Sequence, residues 1–104
     1  MTLQTQAVLH ALLADPTKKI YGLEIADRTG LLPGTTYPIL SRLKQIGWLL
    51  DEWEDIDPHE EQRPRRRYYR LTNDGAVAAR HALDQAQRGL VQAVQRLGLN
   101  PGNA

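Results

Sequence analysis

The 104-residue chain contains no cysteine, no phenylalanine and a single methionine, and no stretch of it approaches the ~20 apolar residues of a membrane span. The first absence excludes disulfides and thiolate metal sites. The N-terminus, Met1-Thr-Leu-Gln-Thr-Gln, has no basic segment ahead of an apolar run, so the expected protein is soluble and cytoplasmic with no membrane partner. The spacings of enzymatic chemistry are missing as well. His10, His59 and His81 show no ligand spacing, and there is no HExxH, no glycine-rich phosphate loop and no set of nucleophile, base and orienting group. His59 among Asp57, Glu60 and Glu61 reads as a surface loop. A non-enzyme without metal or cofactor is expected. With no Phe and alanine at many apolar positions, one small domain builds only a modest core, which favours an oligomer.

The net charge of +1 hides a sharp asymmetry. Seven of the twelve acidic residues (Asp51, Glu52, Glu54, Asp55, Asp57, Glu60, Glu61) lie between 51 and 61, a segment without Lys or Arg, so the rest of the chain carries +8. Such a distribution suits a basic surface facing a polyanion, with one acidic segment held away from it.

The run from Leu31 to Gly47 reads as a short amphipathic helix. Proline in a helix interior costs about 3 kcal/mol, so Pro38 is expected in the first turn, with Thr35 as N-cap. Gly47 supplies the stop. Leu40, Leu43 and Ile46, with Ile39 beside them, form the expected buried stripe; Thr36, Ser41, Arg42 and Gln45 fall mostly opposite. Alone, that polar face fits any solvated helix as well as it fits a DNA major groove. Just upstream, Tyr21 to Gly30 reads as a second short helix closed by glycine, and two short helices joined by a tight turn form a helix-turn-helix pattern.

Elsewhere, Leu3 to Leu13 has helical spacing through Ala7, Val8, Ala11 and Leu12, ended by Asp15-Pro16. Lys18 and Lys19 lie in the polar connection that follows, either solvated or touching phosphate. Trp48 to Glu54 and Arg66 to Leu71 read as two strands of a hairpin with a long loop, Tyr68 and Tyr69 pointing to opposite faces. Arg63, Arg65, Arg66 and Arg67 open the returning strand, where arginines reach phosphates or the minor groove. Thr72 is the expected N-cap of a last helix ended by Gly98, in which Ala76, Leu83, Leu90 and Leu97 recur every seven residues and Ala79, Ala86 and Ala93 occupy the position three later. That stripe packs either on the protein's own first helix or along a second copy. A helix of about 25 residues is about 37 Å long, more than one small domain covers, which favours the second copy.

Together, Tyr21-Gly-x-Glu-Ile, Gly34-Thr-x-Tyr-Pro-x-Leu-x-Arg-Leu and Arg63-Pro-Arg-x-x-Tyr-Tyr-Arg-Leu-Thr-x-x-Gly75 resemble the PadR family of bacterial winged-helix transcriptional regulators, in register over about residues 3 to 80. The expected fold is mainly α with a small β-hairpin (α+β): a winged helix-turn-helix over 1–72, a long dimerisation helix over 73–98, and a flexible tail over 99–104. The expected function is sequence-specific binding of double-stranded DNA by a homodimeric repressor at an inverted repeat. Thr35, Thr36, Tyr37, Ser41, Arg42, the four wing arginines and Lys18 and Lys19 are the candidate DNA contacts. The resemblance implies a small, often aromatic effector near the dimer interface, for which Trp48 and Trp53 are the candidate pocket residues. It also implies that the first helix packs against the partner. The acidic segment departs from the family's usual short, basic wing; it either neutralises the arginines in the free protein or turns away as a flap. A competing reading is a winged-helix interaction module that engages a basic partner through this segment.

Overall fold

The computed structural model describes residues 1–98, so the tail expected over 99–104 lies outside the described residues. Eight elements follow one another: α1 (Leu3–Leu13), β1 (Ile20–Tyr21), α2 (Gly22–Thr29), α3 (Pro33–Gln45), β2 (Leu49–Trp53), α4 (Pro58–Glu61), β3 (Arg67–Leu71) and α5 (Asn73–Arg96). The core joins Val8, Leu9 and Leu12 of α1, Ile25 of α2, Ile39, Leu40 and Leu43 of α3, and Leu49, Tyr69 and Leu71 of the sheet. β3 pairs antiparallel with β2 over five positions, from Leu49 opposite Leu71 to Trp53 opposite Arg67. The expected hairpin gains a third strand, because Ile20 and Tyr21 pair with Tyr69 and Tyr68 on the other edge of β3. Two residues are too few for an alternating pattern, which left β1 invisible in the sequence.

Several helix ends form where residue chemistry puts them. Gly30 and Gly47 close α2 and α3 with φ of 72° and 81°. Thr72 caps α5, its hydroxyl accepting from the Gly75 amide at 2.8 Å. The start of α3 departs from expectation. Pro33 takes the first helical position and Leu32 is the N-cap, so Thr35 is a residue of the first turn and Pro38 lies inside the helix. The physical reason is that Pro33 arrives with its φ already helical and has no amide to lose, so the helix nucleates two residues before Thr35. Two further residues are displaced from their expected faces. Thr36 is fully buried and donates its hydroxyl to the Leu32 carbonyl at 3.0 Å, whereas Ile46, beyond the last turn, is 59% exposed.

The heptad of α5 divides between two environments. Ala76 and Ala79 are buried in the protomer's own core, and Leu83 packs against it, whereas Leu90 and Leu97 are exposed. Ala76 and Ala79 therefore do not present the surface expected of a dimer contact. Alanine is small enough for the first turns of α5 to lie close against α1 and the β2–β3 end of the sheet. Gly75 is required by the same approach, because a Cβ there would stand 2.2 Å from the Trp48 carbonyl oxygen. Gly75→Ala is expected to destabilise the fold by about 2 kcal/mol through backbone displacement, lowering Tm by about 8 °C or more in a thermal melt.

Candidate nucleic-acid interface

Burial of one side of α3 decides what the other side presents. With Thr36, Ile39, Leu40 and Leu43 inward, Gly34, Thr35, Tyr37, Pro38, Ser41, Arg42, Lys44 and Gln45 are exposed. Tyr37 leans over the start of α2, where it needs a residue without a side chain. A Cβ on Gly22 would lie 2.6 Å from the Tyr37 ring. On the opposite flank, Arg42 borders a shallow groove with Met1, Thr2, Thr5 and Ile46.

The wing stands beside Tyr37. A cleft of about 510 Å³ is enclosed by Tyr21, Gly22, Leu23 and Tyr37 from the helix-turn-helix and by Trp53, Tyr69 and the segment Arg63–Arg67 from the wing. The structure thus brings Tyr37 and all four candidate wing arginines to one place, and divides the arginines by what holds them. The Arg63 guanidinium makes two bonds to the Glu54 carboxylate, at 2.6 and 2.9 Å. Arg67 is ion-paired with Asp51, which also receives Lys44 from the last turn of α3 at 2.9 Å. Arg65 donates through Nε to the Ile56 carbonyl at 3.0 Å, and the Arg66 guanidinium lies 4.5 Å over the Tyr21 ring. Arg65 and Arg66 are exposed and, like Arg42, form no ion pair among the described residues.

The acidic segment is thus a folded part of the wing. It contains the short helix α4, capped by Asp57, and two of its carboxylates neutralise arginines. Partners and burial set the acidity of both carboxylates. The hydrogen bonds from Arg63, reinforced by the Arg66 amide, outweigh desolvation and hold Glu54 down at about 2. Burial raises Asp51, but the bonds from Lys44 and Arg67 outweigh it and leave the pKa below the ordinary carboxylate value. Of the two roles open to the acidic segment, Asp51 and Glu54 take the first, neutralising Arg67 and Arg63; the part played by Lys44 carried no signal in the sequence. Lys44 and Asp51 are separated by the Gly47 turn, and only the angle of that turn brings them together.

Other candidates stand apart from the cleft. Lys19 does not line the cleft; it lies 5.0 Å over the Tyr68 ring and 3.0 Å from Glu52. Lys18 is exposed in the α1–β1 connection. Trp48 and Trp53 sit at opposite ends of β2, roughly 16 Å apart at the rise of a strand, with Trp48 against the core and Trp53 in the cleft. Within the protomer the two tryptophans therefore line no common cleft among the described residues. Among the described residues no group of His, Asp and Glu is placed to hold a metal ion, and no helix is long and apolar enough to cross a membrane.

A helix-turn-helix whose second helix exposes a polar face beside an arginine-bearing hairpin defines a winged-helix nucleic-acid binder. Residues 8–81 match the sequence profile of the transcriptional regulator PadR-like family, and the chain belongs to that family. Its resemblance to PadR regulators is thereby upheld: it is a DNA-binding transcriptional regulator and not an enzyme. The fold is shared with a PadR family regulator of Eggerthella lenta DSM 2243, at 24% identity and a TM-score of 0.66 over 91% of this chain and 84% of that one. A PadR family regulator from hypervirulent Clostridium difficile R20291 aligns at 23% identity and a TM-score of 0.65, covering 89% of this chain and 96% of the other. The protein smu.1704 of Streptococcus mutans UA159 aligns at 21% identity and a TM-score of 0.67, over 90% and 89% of the two chains. No curated protein shows significant similarity in sequence.

The Glu54–Arg63 pair has a defined pH signature. A carboxyl depressed from 4.5 to about 2 contributes stability that is complete above about 4.5 and is lost as pH falls toward 2. Carbon-detected NMR titration should place the Glu54 midpoint near 2, with local loosening of the wing below it; a midpoint near 4.5 would contradict the pairing.

Proposed function

We propose that the chain is a homodimeric repressor that binds an inverted-repeat operator, with α3 in the major groove and the wing along the adjacent backbone. The observation that carries this reading is the cleft, which puts Tyr37 of α3 and the exposed Arg65 and Arg66 on its two sides. A phosphate backbone running past that cleft would meet both. Ser41 and Arg42 are the α3 side chains for base-edge or phosphate contact, with Thr35 at the end of the helix. Thr36, whose hydroxyl is buried, serves the core. Two-fold symmetry sets the half-sites about one helical turn (~10 bp) or a multiple apart.

Dimerisation falls to the distal part of α5. The helix has 24 residues, about 36 Å. Leu90 and Leu97 continue the apolar row of Leu83 beyond the part buried in the protomer. A second copy of the same helix matches this row in both period and length. The interaction-module alternative loses Asp51, Glu52 and Glu54, which engage Arg67, Lys19 and Arg63, and would have to rest on the exposed Asp55, Asp57, Glu60 and Glu61.

In fluorescence-anisotropy titrations across a salt series, Arg65→Ala/Arg66→Ala should weaken binding to all duplexes and reduce the slope of log K against log salt by about 2, one for each lost phosphate contact. An unchanged slope would remove the wing from the interface. Leu90→Asp/Leu97→Asp, both at exposed positions, should halve the mass measured by light scattering. A dimer that persists would refute the α5 interface.

A further inference from the structure

Among the described residues nothing accounts for glycine at position 34. It is the second residue of α3, it is absent from the residues with positive φ, and a Cβ built on it would meet nothing within 4 Å. Gly22 and Gly75 differ on this point, with atoms at 2.6 and 2.2 Å from the equivalent Cβ. A glycine in ordinary helical conformation with open space around it weakens its helix relative to alanine.

Its position on the helix is informative. At about 100° per residue, Gly34 aligns with Pro38, Ser41 and Gln45 on the ridge directly opposite the buried Thr36, Ile39, Leu40 and Leu43, and all four ridge residues are exposed. Pro38 is likewise unfavourable inside a helix, and it leaves the Gly34 carbonyl without its usual donor four residues on. Both residues that weaken α3 thus lie on its outermost line. The larger side chains flank that line, with Tyr37 and Lys44 toward the wing and Thr35 and Arg42 on the other side.

Resting on the reading of α3 as the recognition helix, we propose that Gly34 is its point of closest approach to the duplex. The N-terminal end of such a helix goes deepest into the groove. Without a side chain at Gly34 the α3 backbone lies directly against the DNA, and this depth lets Ser41 and Gln45, farther along the same ridge, reach base edges. A single methyl group at residue 34 lifts the helix and withdraws both.

The test compares wild type, Gly34→Ala and Gly34→Val by thermal melting and by anisotropy titration on a duplex enriched from a random pool by the wild-type protein. Gly34→Ala should melt at the same temperature as wild type or higher, yet bind at least tenfold more weakly, with a larger loss for Gly34→Val. Stability and affinity then move in opposite directions, which misfolding cannot produce. Gly34→Ala binding within twofold of wild type, or melting lower than wild type, overturns the close-approach role and leaves the recognition-helix reading standing. A wild-type protein that enriches no duplex overturns both.

Discussion

The inner face of α3 is the constraint from which the rest of the structure follows. Leu40 is fully buried and Ile39 and Leu43 nearly so, and each such side chain contributes about 1.5–3 kcal/mol on leaving water. The Thr36 hydroxyl, buried beside them, is satisfied by the Leu32 carbonyl and introduces no orphaned polar group. By comparison, the Lys44–Asp51 bond that ties the last turn of α3 to the wing involves a half-exposed lysine and is worth about 0–1 kcal/mol. Apolar burial therefore fixes the rotation of the helix, and the ion pairs adjust the wing beside it. Once that rotation is fixed, the identity of the outward residues is no longer free, and the functional surface follows from the core.

The charge asymmetry of the sequence has a structural outcome that differs from simple separation. Glu54 and Asp51 fold back onto Arg63 and Arg67, making these arginines struts of the wing, while Arg65 and Arg66 remain exposed at its surface. The unpaired basic surface is consequently smaller than +8 suggests, and Arg65 and Arg66 are its contribution to the cleft beside Tyr37. The local cost of the acidic segment is a reduced long-range field; its gain is a long wing loop held in one conformation through a bidentate pair and the α4 turn.

Features governed by local chemistry were legible in the sequence. The glycine stops of α2 and α3, the Thr72 cap, the helix-turn-helix spacing and the opposite orientation of Tyr68 and Tyr69 all follow from propensities acting within a few residues. Features that depend on competition or on distant partners were not. Pro38 pointed to a first turn, but Pro33 nucleated the helix earlier. Thr36 is polar by composition and internal by rotation. The heptad of α5 is regular in sequence, but Ala76 and Ala79 are buried by α1 and the sheet before any partner could reach them. The ion-pair network of the wing needed the β2–β3 register, which places Asp51 opposite Tyr69 and Trp53 opposite Arg67. The arginines were evident as a group, but which of them remain available was decided by that register.

In the proposed function α3 and the wing together read a specific, two-fold symmetric DNA sequence. Selection of bound duplexes from a random pool, sequenced at two salt concentrations, tests it most directly. An inverted repeat should be enriched and should persist at the higher salt, since base contacts survive when phosphate attraction is screened. Binding without enrichment that disappears as salt rises would contradict it and would leave only the electrostatic attraction of Arg65, Arg66 and their basic neighbours.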